Sequence, residues 1–394
     1  MLKKLHGYKD HLIILIGSNL VAALNFVLSI VILKIADEQS FNIYSAYASF
    51  YLILTTPSKL GKSLATVYGF SIIAWAEKIF SKFKLGITLS SVIISLLTIV
   101  GVYLYGGDSL ISASVLVLAT LSQILLLVLI GALQHNKQFV STSSFLFSQN
   151  SIRLIAGIGL FLIFQNLGIW LATLGGSLLL FFVVRRFVKQ NNDNYSKISI
   201  DLSDILLNLF VLLSVELLFN IDSILVLNSF PTDDAYIYNS LVLVKKIMFF
   251  ATYGFATILL SDSRREGVNQ RQSLIKNIGI TALVGGVLTL FLYELRGIIL
   301  PFLGLGMEQS SLYLLFTIGT LLFTMLMLST LSFTSTKSMS QRILAVGGIG
   351  VFISFYVFQT NSIESLLNTF VFGTIGLLIY QGTIRILFRQ PKTN

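Results

Sequence analysis

Lys59, Lys62, Arg153, Lys245 and Lys246 interrupt long apolar stretches of the chain. A Lys or Arg at the centre of a membrane span costs roughly 2.5–3.5 kcal/mol to insert. Five of them facing lipid would cost on the order of 12–18 kcal/mol, more than a typical folding stability. They must therefore face water, a counter-ion or a ligand. Only Glu216 and Asp222 are acidic at similar depth. Five cations against two anions leave a positive surplus, which points to a hydrated cationic cavity holding an anionic substrate. Glu216 and Asp222 are read as ion-coupling residues, or as internal partners of Lys245 or Lys246.

The elements that position these residues are long and apolar. The 394 residues are 55% hydrophobic and 11% charged, with four prolines, and the mean hydropathy is +0.86. Soluble domains carry about 25% charged residues. Apolar runs long enough to cross a hydrocarbon core recur from end to end, and strand-like alternation is absent. The expected fold is all-α and polytopic, with spans at 11–34, 41–76, 85–106, 109–133, 141–164, 166–184, 203–229, 235–260, 273–299, 309–332, 341–360 and 363–384. The second span contains Pro57 and is read as one kinked helix, since proline is a recognised cause of kinks.

Charge gives these twelve spans a sidedness. All but seven of the 27 Lys and Arg residues lie at the two termini (Lys3, Lys4, Lys9; Arg385, Arg389, Lys392) or in alternate connections. Those connections hold Lys78, Lys82, Lys84, Lys137, Arg185, Arg186, Lys189, Lys197, Arg264, Arg265, Arg271, Lys276, Lys337 and Arg342. The opposite connections carry Asp37, Glu38, Asp108, Asp233, Asp234, Glu308 and Glu364. Both termini are thus expected in the cytoplasm. Lys34 and Arg296 lie at outer span ends, where long side chains snorkel. The net charge of +10 follows from this layout, and no nucleic-acid partner is expected.

An internal repeat divides the chain. Val31–Tyr47 reads VILKIADEQSFNIYSAY, and Leu225–Leu241, 194 residues later, reads LVLNSFPTDDAYIYNSL. Each is an apolar helix end, a short acidic turn and an aromatic-Ile-Tyr entry into the next helix. The expected domains are an N-terminal six-helix lobe over 1–189, a cytoplasmic linker over 190–202 and a C-terminal six-helix lobe over 203–394. Two such halves of the same orientation are a common plan of secondary transporters.

Catalytic chemistry finds no support. There are no cysteines, and the three histidines (His6, His11, His135) lack metal-ligand spacing. Gly61-Lys62-Ser63 echoes a phosphate-binding loop, but Thr56 stands where that loop needs glycine. The outward connections are too short for an extracytoplasmic catalytic domain. No metal or cofactor is expected.

The two-lobed layout, Tyr44 and Tyr238 entering the second and eighth spans, and the stretches Asn220-Ile221-Asp222-Ser223-Ile224-Leu225-Val226 and Ala235-Tyr236-Ile237-Tyr238 resemble the multidrug/oligosaccharidyl-lipid/polysaccharide (MOP) exporter superfamily. They are most similar to its polysaccharide branch, the Wzx-type flippases. Asn42 and Tyr236 stand where members often have Gly, and Ser261 where they often have Pro. The resemblance implies a flippase that moves an undecaprenyl-pyrophosphate-linked oligosaccharide, an O-antigen or related unit, to the outer leaflet by alternating access. It further implies a bacterial inner-membrane location, membrane lipids as surroundings and, as partners, a polysaccharide polymerase and chain-length machinery. Lys59, Lys62, Arg153, Lys245 and Lys246 would hold the pyrophosphate, with coupling to a proton or sodium gradient through Asp222 or Glu216. The alternatives are a multidrug exporter of the same superfamily, which should show acidic residues inside the N-terminal half, and an integral-membrane glycan polymerase or ligase.

Overall fold

The computed structural model describes residues 2–69, 71–72, 84–189, 201–263, 270–333, 338–357 and 362–387. Most of the expected linker, the basic residues Lys78, Lys82, Lys197, Arg264, Arg265 and Lys337, and the C-terminal Arg389 and Lys392 lie outside them. Among the described residues the regular structure is all helical, and each predicted span is occupied by helix. The chain divides into two compact units, Met1–Leu202 and Ser203–Asn394.

The N-terminal unit contains α1 (Leu2–Ile35), α2 (Glu38–Leu54), α3 (Thr56–Tyr68), α4 (Lys84–Gly106), α5 (Leu110–His135), α6 (Phe139–Phe164) and α7 (Asn166–Lys189). The C-terminal unit contains α8 (Leu202–Ser229), α9 (Thr232–Ser263), α10 (Gln270–Glu294), α11 (Arg296–Phe302), α12 (Ser310–Ser332), α13 (Met339–Val357) and α14 (Ile363–Leu387). Among the described residues eight helices (α5, α6, α7, α8, α10, α12, α13 and α14) are long and apolar enough to span a bilayer by themselves, and 19–35 and 91–106 add shorter apolar helices. The second and eighth spans fall outside that set; they are the ones that carry the internal lysines. The chain is a multi-pass membrane protein.

The second span is broken rather than merely bent. Pro57 has no N–H to donate, and α2 ends at Leu54 with Thr55 between the helices. The carbonyls around the break are taken by hydroxyls. Thr55 donates to Leu52 O at 3.1 Å, Thr56 to Ile53 O at 2.6 Å and Ser58 to Thr55 O at 2.5 Å. Side-chain hydroxyls are a recognised way to satisfy backbone freed inside a membrane. The ninth span is also interrupted, at Leu295, where the sequence reading expects one helix over 273–299. Arg296 donates to Tyr293 O at 2.7 Å with its guanidinium over the Tyr293 ring, so this outer arginine caps a helix end rather than only snorkelling.

Each unit is packed around one hub helix. In the first, α5 packs against α3, α4 and α7, and α6 against α7. In the second, α12 packs against α9, α10 and α14, and α13 against α14. Counted in spans, the fourth and tenth are the hubs of their units. Buried polar side chains tie each hub to the last span. Gln149 of α6 donates to Ser177 of α7 at 2.9 Å, which donates to Gln123 of α5 at 3.1 Å. In the second unit Gln381 of α14 donates to Thr330 of α12 at 2.8 Å.

Candidate anion site

Tyr44 and Tyr238, the tyrosines of the repeat, make the same cross-helix contact. The Tyr44 hydroxyl lies 3.0 Å from Ser29 Oγ on α1, and Tyr238 donates to Asp222 Oδ2 on α8 at 2.8 Å. Each locks the first span of its unit to the second. Beside each lock sits a basic side chain boxed by aromatic rings.

In the N-terminal unit the cation is Arg153 of α6. Its Nη1 donates to Asn25 Oδ1 on α1 at 3.2 Å. Its guanidinium carbon lies 5.1 Å from the Tyr51 ring centroid on α2 and 5.4 Å from that of Trp170 on α7. Trp170 is fully buried, 5.6 Å from Tyr51 and 6.1 Å from Tyr47 between centroids. Cation–π contacts reach about 2 kcal/mol when desolvated, so the box holds the guanidinium without neutralising it. All of Arg153's partners are neutral. Besides Asp10 in the first turns of α1, the carboxylates among the described residues of this unit are Asp37, Glu38, Asp108 and Asp201, all at helix ends or connections. The Nε of Arg153, Nε1 of Trp170 and hydroxyl of Tyr47 are buried without an acceptor.

In the C-terminal unit the cation is Lys245 of α9, only 2% exposed. Its Nζ lies 2.6 Å from Asp222 Oδ2 and also donates to the Phe219 carbonyl. Phe219 and Phe370 of α14 present their rings at 4.3 and 5.3 Å. Asp222 also accepts the Ser223 N–H at 2.9 Å. The Tyr356 hydroxyl of α13 lies within electrostatic reach of Asp222 but makes no well-formed hydrogen bond. Phe219 stacks on Phe323 of α12 at 4.8 Å, and this aromatic layer closes the pair off from solvent.

The other sequence candidates stand apart from these boxes. Lys59 is exposed and Lys62 half-buried on α3, one turn beyond the Pro57 break. The Lys62 ammonium has no hydrogen bond or ion pair among the described residues. Glu216 lies on α8, half-buried, with Asn220 Nδ2 3.4 Å from its Oε2, and Lys246 is half-buried on α9. The structure thus brings Lys245 and Asp222 together and gives Arg153 a separate setting in the other unit. Asn25, Trp170, Phe219, Phe370 and Tyr356 are missing from the sequence candidates. A signal exists for two of them: Asn25 is an amide inside an apolar span, and Trp170 is one of only two tryptophans.

Folds of this kind are known. An inward-facing multidrug resistance MATE family transporter of the MOP superfamily matches with a TM-score of 0.66 at 12% identity, over 93% of this chain and 95% of its own. The eukaryotic MATE transporter AtDTX14 matches at 0.62 with 14% identity, over 98% and 96%. A MOP superfamily transporter from Pyrococcus furiosus, described as having a binding pocket of reversed polarity that suggests a different function, matches at 0.62 with 14% identity, over 96% and 95%. No family model matches the sequence, and no curated protein matches it. The fold is that of the MATE transporters of the MOP superfamily.

Proposed function

We propose that this protein is a flippase that carries an undecaprenyl-pyrophosphate-linked oligosaccharide, an O-antigen or related surface-polysaccharide unit, from the inner to the outer leaflet. One observation carries the reading. The N-terminal unit holds Arg153 and Lys62 at depth without a carboxylate partner among the described residues. An organic cation would be repelled there, whereas an anionic pyrophosphate headgroup would be attracted to the uncompensated positive charge. Lys59 on the exposed face of α3 adds to the same field. The inside-negative membrane potential favours outward movement of an anion, by about 2.3 kcal/mol per charge per 100 mV.

Movement is by alternating access, the two units exposing the site to one side and then the other. Relatives in fold have been solved both inward-facing and outward-facing. The reversed pocket polarity described for the Pyrococcus furiosus neighbour, and the different function it suggests there, are a precedent for this fold with a pocket of other polarity. The same reading puts the protein in the bacterial inner membrane with both termini cytoplasmic, upstream of a polysaccharide polymerase and its chain-length machinery. Glu216 and Asp222 are the candidates for coupling to a proton or sodium gradient; transport in proteoliposomes that ignores both gradients would remove that role.

The second reading is a multidrug exporter, favoured by the carboxylates Asp222 and Glu216 of the C-terminal unit. Asp222 is already satisfied by Lys245 and Tyr238, which counts against it. Deletion of the gene with complementation decides between them. Charge removal at Lys59, Lys62 and Arg153 together, with expression verified, should abolish surface polysaccharide. Undiminished polysaccharide in that triple variant sinks the flippase reading, and restored drug efflux would favour the exporter.

A further inference from the structure

Each unit carries a cation boxed by aromatic rings, supplied by a different span in each, and only one of the boxes contains a carboxylate. Asn25 and Phe219 stand 194 positions apart, as do Tyr44 and Tyr238, and Tyr51 and Lys245. In the N-terminal unit Asn25, Tyr51 and the Trp170 ring surround Arg153 of the fifth span, whereas in the C-terminal unit the base, Lys245, stands at the position of Tyr51 itself, beside the rings of Phe219 and Phe370. The place beside the cation is filled differently. In the C-terminal unit Asp222 fills it, and Lys245 is sealed in. In the N-terminal unit α1 offers the neutral Asn25 and Ser29, and the Ser29 hydroxyl is engaged by Tyr44. Arg153 is half-buried, has no carboxylate partner among the described residues and leaves Nε without an acceptor. Trp170 Nε1 and the Tyr47 hydroxyl, in the same aromatic cluster, also lack acceptors. Buried donors without acceptors are rare and call for an explanation. What this cluster lacks is what Asp222 supplies in the other unit: an oxyanion.

We propose that the Arg153 box binds a phosphoryl oxyanion of the ligand, and that the C-terminal unit holds a self-filled counterpart of that seat, with Asp222 standing permanently in the ligand's place. The inference rests on the reading of the ligand as a phosphorylated lipid and locates its charged group in one unit. The guanidinium fork grips phosphoryl oxygens bidentately, and the Trp170 indole N–H adds a neutral donor. Lys245 is then a positioning residue that fastens α8 to α9 and does not touch the ligand.

The test is calorimetric titration of the full-length protein in lipid nanodiscs with farnesyl pyrophosphate, and with inorganic pyrophosphate as a chain-free probe. Arg153→Gln should weaken both about tenfold or more, the loss expected for a charge-assisted hydrogen bond. Trp170→Phe keeps the ring and loses the donor, and should weaken both about threefold to tenfold. The pair variant Asp222→Asn with Lys245→Gln should bind within about threefold of wild type, because it exchanges one internal pair for another. Should it not fold, Asp222→Leu with Lys245→Met serves, since apolar replacement of a buried pair is commonly tolerated. Equal loss in a folded pair variant and in Arg153→Gln overturns the proposal, as does unchanged binding in Arg153→Gln. A wild-type protein that binds neither probe overturns the phosphorylated-ligand reading itself, and the proposal with it.

Discussion

Tyr238 donates a 2.8 Å hydrogen bond to Asp222 Oδ2, the same oxygen that takes the Lys245 ammonium at 2.6 Å. One carboxylate oxygen thus joins the first two spans of the C-terminal unit by a neutral and a charged bond at once. Tyr44 makes the corresponding neutral bond to Ser29 in the N-terminal unit, where the charged one has no counterpart.

Removing Asp222 alone should therefore be severe. Asp222→Ala leaves a fully buried ammonium unpaired, a change that costs about 3–5 kcal/mol. Thermal unfolding in detergent should show a large drop, and the double apolar replacement of Asp222 and Lys245 should recover most of it. Equal unfolding temperatures for the single and double variants would contradict the pairing.

Close packing positions α3 and its lysines. A Cβ added at Gly131 of α5 would run into the backbone carbonyl oxygen of Lys62, which cannot move aside as a side-chain tip could. Gly131→Ala should push α3 outward and cost about 1–3 kcal/mol, the usual range for overpacking. Reduced transport together with a lower unfolding temperature is the expected pattern; a variant equal to wild type in both would refute it.

The turn before α2 has a defined acid response. The Ser40 N–H and hydroxyl both bond the Asp37 carboxylate at 2.8 Å and hold it below its ordinary value of 3.8. A depressed carboxyl contributes stability that is present above its unfolded value and lost as pH falls through the folded one. The N-cap should thus persist from neutral pH down to about 3.8 and loosen only below it. Asp37→Ala should loosen the first turn of α2 at every higher pH, by an amount near the low end of about 0.5–2 kcal/mol because the group is exposed. Amide exchange at Ser40 and Phe41 reads both effects.

Sidedness is testable because the chain has no cysteine of its own. A single cysteine at Asp108 should react with an impermeant maleimide added outside the cell, and one at Lys137 only after permeabilisation. The reverse result would invert the charge-based topology.

The all-helical class and the run of long apolar helices were legible in the sequence, because a bilayer demands such helices. The Pro57 break was half legible: proline announces a bend, but whether the helix continues depends on the local hydroxyls that take up the freed carbonyls. The interruption at Leu295 had no such signal. The presence of buried cations could be read from residue types alone, since hydrophobic surroundings make each one conspicuous. Their fates could not. Lys245 and Arg153 are the same event in a sequence, a base within an apolar run, and what separates them is which side chain of the first span lies opposite. That neighbour is Asp222 in one case and Asn25 in the other, and contact between helices far apart in the chain is decided only when they pack.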